Sequence, residues 1–259
     1  PPVPFAQECC RDPGRLRIAA VASMSSQAPA TADRAQVFEQ VKAHLAQLGH
    51  EIEEVASPVD LDAPGVAEML FGMYGTSGPP DGLERWSRMM GRPLGLETLE
   101  LGLVYGWGPG AADPAHTSVA ERFAPDARPF CDYQALRAGY MHLLASVNAF
   151  FRRYDVLVTL TNAQDPPRLG QWPYNGSYEE RVGLYDLLKC ASPGVFQWNL
   201  MGHPAMTLPL GMSQQGFPVG VQFVTALSAE AVLYRLAGQL EQTLPWRDRR
   251  PPVHAANAT

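Results

Sequence analysis

Apolar positions recur along this chain with two periods, and the alternation between them sets out most of the elements. Leu16 to Ala22 (LRIAAVA) is a short apolar run behind Pro13-Gly14, which predicts a buried strand by length and punctuation. After the polar loop Ser23 to Thr31, Asp33 is placed to cap a helix to about Leu48. Val37, Val41, Leu45 and Leu48 fall at helical spacing there, and Gly49 stops it. Glu51 to Val55 alternates as a second strand. Strand, helix and strand joined by short links form a βαβ unit over 15–55, for which a parallel pair with a right-handed crossover is expected.

From Pro64 the texture changes. Val66, Met69, Leu70 and Met73 predict one helix, Leu83 to Met90 a second and Leu94 to Tyr105 a third, all within a helical and loop segment over 64–130. Helices rich in Met and Trp that stand off the main βα rhythm suit a substrate wall around Met69, Met73, Trp86 and Met89, and ordinary helix packing accounts for them too. Tyr133 to Tyr154 is the longest helical pattern and runs into a strand, Asp155 to Leu160, at the start of a region over 133–246. The lead before Leu16 reads as loop, and 247–259 as a charged, Pro-rich tail.

Asn199 to Leu227 (NLMGHPAMTLPLGMSQQGFPVGVQFVTAL) holds two β-type runs, Ala205 to Leu210 and Val219 to Val224. Gly216 permits a positive φ and Pro218 fixes its own, so the link reads as a hairpin-like turn. Both runs are apolar with little alternation, as in strands covered on both faces, and Pro204 and Pro209 bar full ladder pairing at the ends of the first. Ser228 is placed to cap a helix from Ala229 to about Thr243, with Val232, Leu236 and Leu240 inward and Pro245 ending it. The sum is an α/β fold, a mixed β-sheet flanked by helices.

Composition narrows the classes. The 259 residues are 46% hydrophobic, enough to bury a full-sized core. A net charge of -6 provides no basic footprint for nucleic acid. No run approaches the roughly 18 apolar residues of a membrane span. The start, PPVPFAQECC, has neither an initiator Met nor a signal-peptide layout, so processing or a longer parent chain is expected. Cys9, Cys10, Cys131 and Cys190 show no C-x-x-C spacing, and His44, His50, His116, His142 and His254 share no metal-ligand spacing. This predicts no metal, no cofactor and a reduced cytoplasmic setting.

Small constellations have plain readings. Ser23 to Gln27 lies where a phosphate or nucleophile loop would, but without Gly in the turn it reads as an ordinary βα loop. Cys190 and His203 each stand alone at their locus, so a thiolate pair is disfavoured. Lys42 reads as part of a solvated helix face. Lys189 precedes Cys190, and nothing nearby identifies a nucleophile for it to serve.

The ordered series N-x-x-G-x-P-A-x-x-x-P from Asn199, then G-x-P-V-G-V-Q from Gly216, then a helix ending at Pro245-Trp246, closely resembles the C-terminal segment of amidase-signature hydrolases. The match runs from about Arg15 to Trp246. The resemblance implies the later part of that fold and amide hydrolysis through an acyl-serine. In that family a serine nucleophile, a second serine in a cis peptide and a lysine base act without metal. The Gly-Ser-Ser-Gly stretch that would carry the serines does not occur in these residues. Ser25-Ser26 is flanked by Met24 and Gln27, and Thr76-Ser77 lies between Gly75 and Gly78.

The expectation is therefore a chain without catalytic residues, silent alone, that supplies scaffold and pocket for a small-molecule amide substrate. The triad would belong to an N-terminal half, joined in cis or in trans. By resemblance, Asn199 and Gly202 in the N-x-x-G-x-P turn, and Thr161 and Asn162 after a strand, are the substrate-binding residues. Asn162 departs from the family's usual Thr-Pro at that place, and the turn could equally do no more than set up the next strand. A different class, a non-catalytic binding or assembly subunit, follows from the sheet edge that a missing half leaves open. Such an edge favours association with that half or between copies of the chain. A third, an unrelated α/β binding protein using Ser23 to Gln27, rests on position alone.

Overall fold

A computed structural model gives the architecture. It describes residues 3–26, 28–66, 69–70, 87–92, 130–168, 194–251 and 253. The third helix expected over 94–105, most of the second, Lys189 and Cys190 lie outside them.

The elements in chain order are α1 (Phe5–Glu8), β1 (Arg17–Ala20), α2 (Ala32–Gln47), β2 (Glu51–Glu54), α3 (Phe130–Arg153), β3 (Val156–Leu160), α4 (Phe196–Met201), β4 (Ala205–Met212), β5 (Pro218–Thr225) and α5 (Glu230–Thr243). Among the described residues, five strands form one sheet in the order β2-β1-β3-β5-β4. β1 pairs in parallel with β2 and β3, and β5 runs antiparallel to β3 and β4, so the sheet is mixed, as expected. The βαβ unit is present, and Gly49 leaves α2 at φ +93°, where only a residue without Cβ sits at ease.

Alternation along the strands sends side chains to two apolar layers. Ile18, Val156, Val158, Val221 and Phe223 face Phe38 and Leu45 of α2 and Leu236 and Leu240 of α5. Leu157 and Val224 face the other way, against Val147 and Phe151 of α3 and Trp198 and Met201 of α4. Val66, Met69 and Leu70, from the first helix expected past Pro64, join this second layer, whereas Met89 is exposed. Tyr140 of α3 donates its hydroxyl to the Leu200 carbonyl at 2.6 Å, which fixes α4 against the longest helix.

Several expectations give way to tertiary contacts. β4 is an edge strand, largely half-buried or exposed, and it extends to Met212 instead of lying covered on both faces. The Thr225 amide donates to the Pro204 carbonyl, so even-numbered residues of β4 point their backbone groups at β5. Pro209 therefore turns its missing N–H to the outer edge, where its carbonyl accepts from Arg249 at 3.2 Å. A register shift follows between Pro209 and Gly211.

Asp33 does not cap α2. Thr31 stands at the N-cap position without a side-chain capping bond, and Asp33 in the first turn accepts from the Thr31 hydroxyl and from the Arg34 and Gln214 amides, tying the helix start to the β4–β5 turn. Ser228 does not cap α5 either. It takes φ +62°, and Ala229 precedes the helix without a side-chain cap. Lys42 is buried, not solvated, because β2 brings Glu54 beside it to join Glu39 as its partner.

The lead is no loop. α1 packs on α5, with Phe5 stacked on Tyr234 at 4.6 Å between ring centroids and buried Glu8 accepting from Arg235 at 2.6 Å.

Candidate functional site

The site grows from the six residues of α4 and the turn after them. Trp198 and Met201, three apart, fall on one face and enter the second apolar layer, which leaves Asn199 exposed on the opposite side. Gly202 ends the helix at φ +72°, and after Pro204 the strand β4 starts at Ala205. This turn leaves a cavity of about 490 Å³ between itself and α5. Trp198, Asn199, Gly202 and His203 form one wall, and Glu230, Leu233 and Tyr234 of α5 form the other. Pro204, Ala205 and Met206 complete the described lining.

The polar groups around this cavity are unusually poor in partners. His203 lies against Phe151 at 5.2 Å and Trp198 at 6.0 Å between ring centroids, and neither of its ring nitrogens has a hydrogen-bond partner. Burial holds its pKa below the ordinary histidine value, so the ring is neutral at pH 7. The Trp198 indole N–H and both amide atoms of fully buried Gln197 are likewise unpartnered. Glu230, half-buried in the first turn of α5, makes no ion pair among the described residues. Among those residues no group of His, Cys, Asp and Glu has the makings of a metal site.

A second polar region lies at the other end of the sheet. The Thr161 amide donates to the Gly220 carbonyl, and its hydroxyl meets that of Thr207 at 3.1 Å. The two threonines meet across Gly220, where a Cβ would come within 2.9 Å of Thr207 Cγ2. Gln222, buried on the same strand, donates to the Gly194 carbonyl at 2.8 Å and anchors the chain just ahead of α4. Asn162 is itself engaged in an interaction. Nearby, the Ser23 to Ser26 turn is closed by a carboxylate: Ser25 Oγ and the Ser26 amide both donate to Asp62 at 2.6 Å. That pairing places a protein carboxylate where an anion-binding loop would hold its ligand. Buried Arg34 is paired with Asp165, which also accepts from Ser213 at 3.4 Å.

The four residues expected to bind substrate thus fall in two places. Asn199 and Gly202 share the cavity, while Thr161 and Asn162 sit beyond the opposite end of β5, since Thr161 contacts Gly220 and the Gly202 turn leads to the partner of Thr225. α4 runs between the two regions. Sequence reasoning missed Glu230, Tyr234 and Gln222. Gln222 had a signal, as the one polar residue in the apolar run Val219 to Val224, whereas Glu230 and Tyr234 looked like ordinary helix positions.

Comparison with known proteins adds the relationships. A family model described as Amidase matches residues 111–233. A putative amidase, AmiB2, of Mycobacterium bovis is 29% identical over 254 residues, covering 96% of this chain and 48% of the relative. Among solved structures, 6-aminohexanoate cyclic dimer hydrolase complexed with substrate superposes with a TM-score of 0.69 at 24% identity, over 96% of this chain and 49% of that one. A bacterial aryl acylamidase superposes with a TM-score of 0.65 at 15% identity, over 94% and 46%. The chain spans about half the length of the curated relatives it matches.

Proposed function

We propose that this chain, which matches an Amidase family model over residues 111–233 and putative amidases over about half their length, forms the later half of an amidase-signature enzyme that hydrolyses a carboxamide through an acyl-serine. In this reading the nucleophile, its serine partner and the lysine base lie on an N-terminal half. The present residues supply sheet, crossover helices and a substrate wall, so the chain alone is catalytically silent. The 15–55 βαβ unit and the 133–246 region carry the sheet, and 64–130 adds further wall.

The observation that carries this is the cavity at the N-x-x-G-x-P turn, inside the segment that matches the family model. Asn199 offers an amide that both donates and accepts, the two roles a substrate carboxamide requires of its partner. Gly202 lets the chain turn without a side chain filling the space. Thr161 and Asn162, at the far end of α4, would contact a more distant part of the substrate or the other half. We place the protein in the reducing cytoplasm, where the free Cys9 and Cys10 stay thiols. Among the described residues, no helix is long and apolar enough to cross a membrane.

The test is to purify the 259-residue chain alone and with a separately produced N-terminal half from its own reading frame, then follow acid release from simple carboxamides. Activity only in the mixture, with co-elution on size exclusion, is the expected result. Hydrolysis by the chain alone, surviving controls for contaminating hydrolases, overturns the division of labour.

A further inference from the structure

The cavity at the Asn199 turn holds a charge that nothing described neutralises. Glu230 lines it without an ion pair among the described residues, and the nearest cation along α5, Arg235, is already held by Glu8 at 2.6 Å. Among the described residues, no Lys or Arg lines the cavity. His203, 5% exposed and with both ring nitrogens unpartnered, lines the same space as a neutral ring. Besides the Asn199 amide and Gly202, the remaining described lining is aromatic, from Trp198 and Tyr234, or apolar, from Pro204 to Met206 and Leu233. A carboxylate beside aromatic rings and an apolar lining attracts a cation with a hydrocarbon tail and repels carboxylate or phosphate. A volume of about 490 Å³ suits a small organic molecule and exceeds the needs of a bare ion.

We propose that this cavity binds the ammonium group of a short primary alkylamine, with Glu230 as counter-ion, Trp198 or Tyr234 beside the charge and the alkyl chain on the Pro204 to Met206 lining. The inference rests on the reading of this cavity as part of the substrate wall and deepens it: the amide handled there carries an amine-bearing end, or the cavity receives the amine that hydrolysis releases. Hydrolysis of an amide by water gives one acid and one amine, so the chemistry of the proposed reaction supplies such a ligand without any further reactant.

Ligand-observed NMR titration of the intact 259-residue chain with butylammonium chloride, and separately with neutral butyramide, tests it. The expected result is saturable butylammonium binding that Glu230→Gln weakens about tenfold, the scale of one lost charged hydrogen bond. Adding about 0.5 M KCl weakens the wild type and leaves the Gln variant unchanged, because screening acts on the charge alone. Glu230→Asp, which keeps the charge, retains the salt dependence and guards against a variant that fails to fold. Equal butylammonium affinity in wild type and Glu230→Gln, or no butylammonium binding at all, overturns the proposal. Butyramide binding that Asn199→Ala removes, in the absence of butylammonium binding, overturns the ammonium assignment and leaves the amide wall standing.

Discussion

Substituting Gly238 with alanine sets two opposing effects against each other. The residue is in the interior of α5, at a helical φ, and fully buried beneath the end of α1. In an isolated helix the change is favourable by about 1 kcal/mol, because glycine loses more backbone freedom on ordering. Here the new Cβ would run into the Cys9 carbonyl oxygen and lie 2.8 Å from its carbon and 3.1 Å from Cys9 Cα.

These are backbone atoms, so no rotamer change relieves the overlap, and residues 5–9 must lift away. Lifting them separates Phe5 from Tyr234, a stack worth about 0.5–1.5 kcal/mol beyond its buried area, and pulls Glu8 from Arg235. Overpacking of this kind costs about 1–3 kcal/mol and so outweighs the helix gain. Net of the helix gain the loss is up to about 2 kcal/mol, so Gly238→Ala is expected to lower the thermal midpoint by up to about 8 °C, on a scale of about 2–4 °C per kcal/mol for a domain of this size.

The decisive measurement is a cycle with a chain lacking residues 1–10. Without α1 there is nothing to collide with, so the sign should reverse and Gly238→Ala should stabilise the shortened chain by about 1 kcal/mol. Urea denaturation followed by far-ultraviolet circular dichroism reads all four species. If Gly238→Ala has the same effect in both backgrounds, the close approach of α1 is not what selects glycine there.

Gly211→Ala is expected to destabilise by about 1–3 kcal/mol, since its Cβ would fall 2.6 Å from Val37 Cγ2; combining it with Val37→Ala in the same urea assay should recover part of the loss. His203 is held below its ordinary pKa by burial, so as pH falls below about 6.5 the unfolded chain takes a proton that the folded chain refuses. Stability should drop through that window, and His203→Leu should flatten the drop in a series of melts from pH 7.5 to about pH 5. Burial pushes the Asp155 carboxyl up, but three bonds from Arg17, one from its backbone amide and two from its guanidinium, outweigh it and leave the pKa below the ordinary value. That contribution is present above about pH 4 and is lost as pH falls through the folded value, so Asp155→Asn should reduce stability at pH 7 and flatten the acid limb.

Local chemistry by itself determined α2, β1, β3 and the β4–β5 hairpin. The 3.6-residue spacing of Val37, Val41 and Leu45, the apolar runs of β1 and β3, and Gly216-Phe217-Pro218 between two β-type segments were enough to place α2, both strands and the hairpin near their observed bounds. Each of these signals is carried by residues a few positions apart, where backbone sterics and side-chain direction act directly. The turn at Asn199 and Gly202 was legible for the same reason.

Tertiary structure decided what meets what. Lys42 became buried when β2 brought Glu54 to it, Phe5 and Glu8 found Tyr234 and Arg235 across nearly the whole chain, and β4 became an edge through the order of the sheet. It also divided Asn199 and Gly202 from Thr161 and Asn162 and set Glu230 beside the former pair. Such pairings depend on how layers stack and on which strand end a loop leaves. Burial energy is largely non-directional, so an apolar pattern states that a face will be covered without stating by which neighbour.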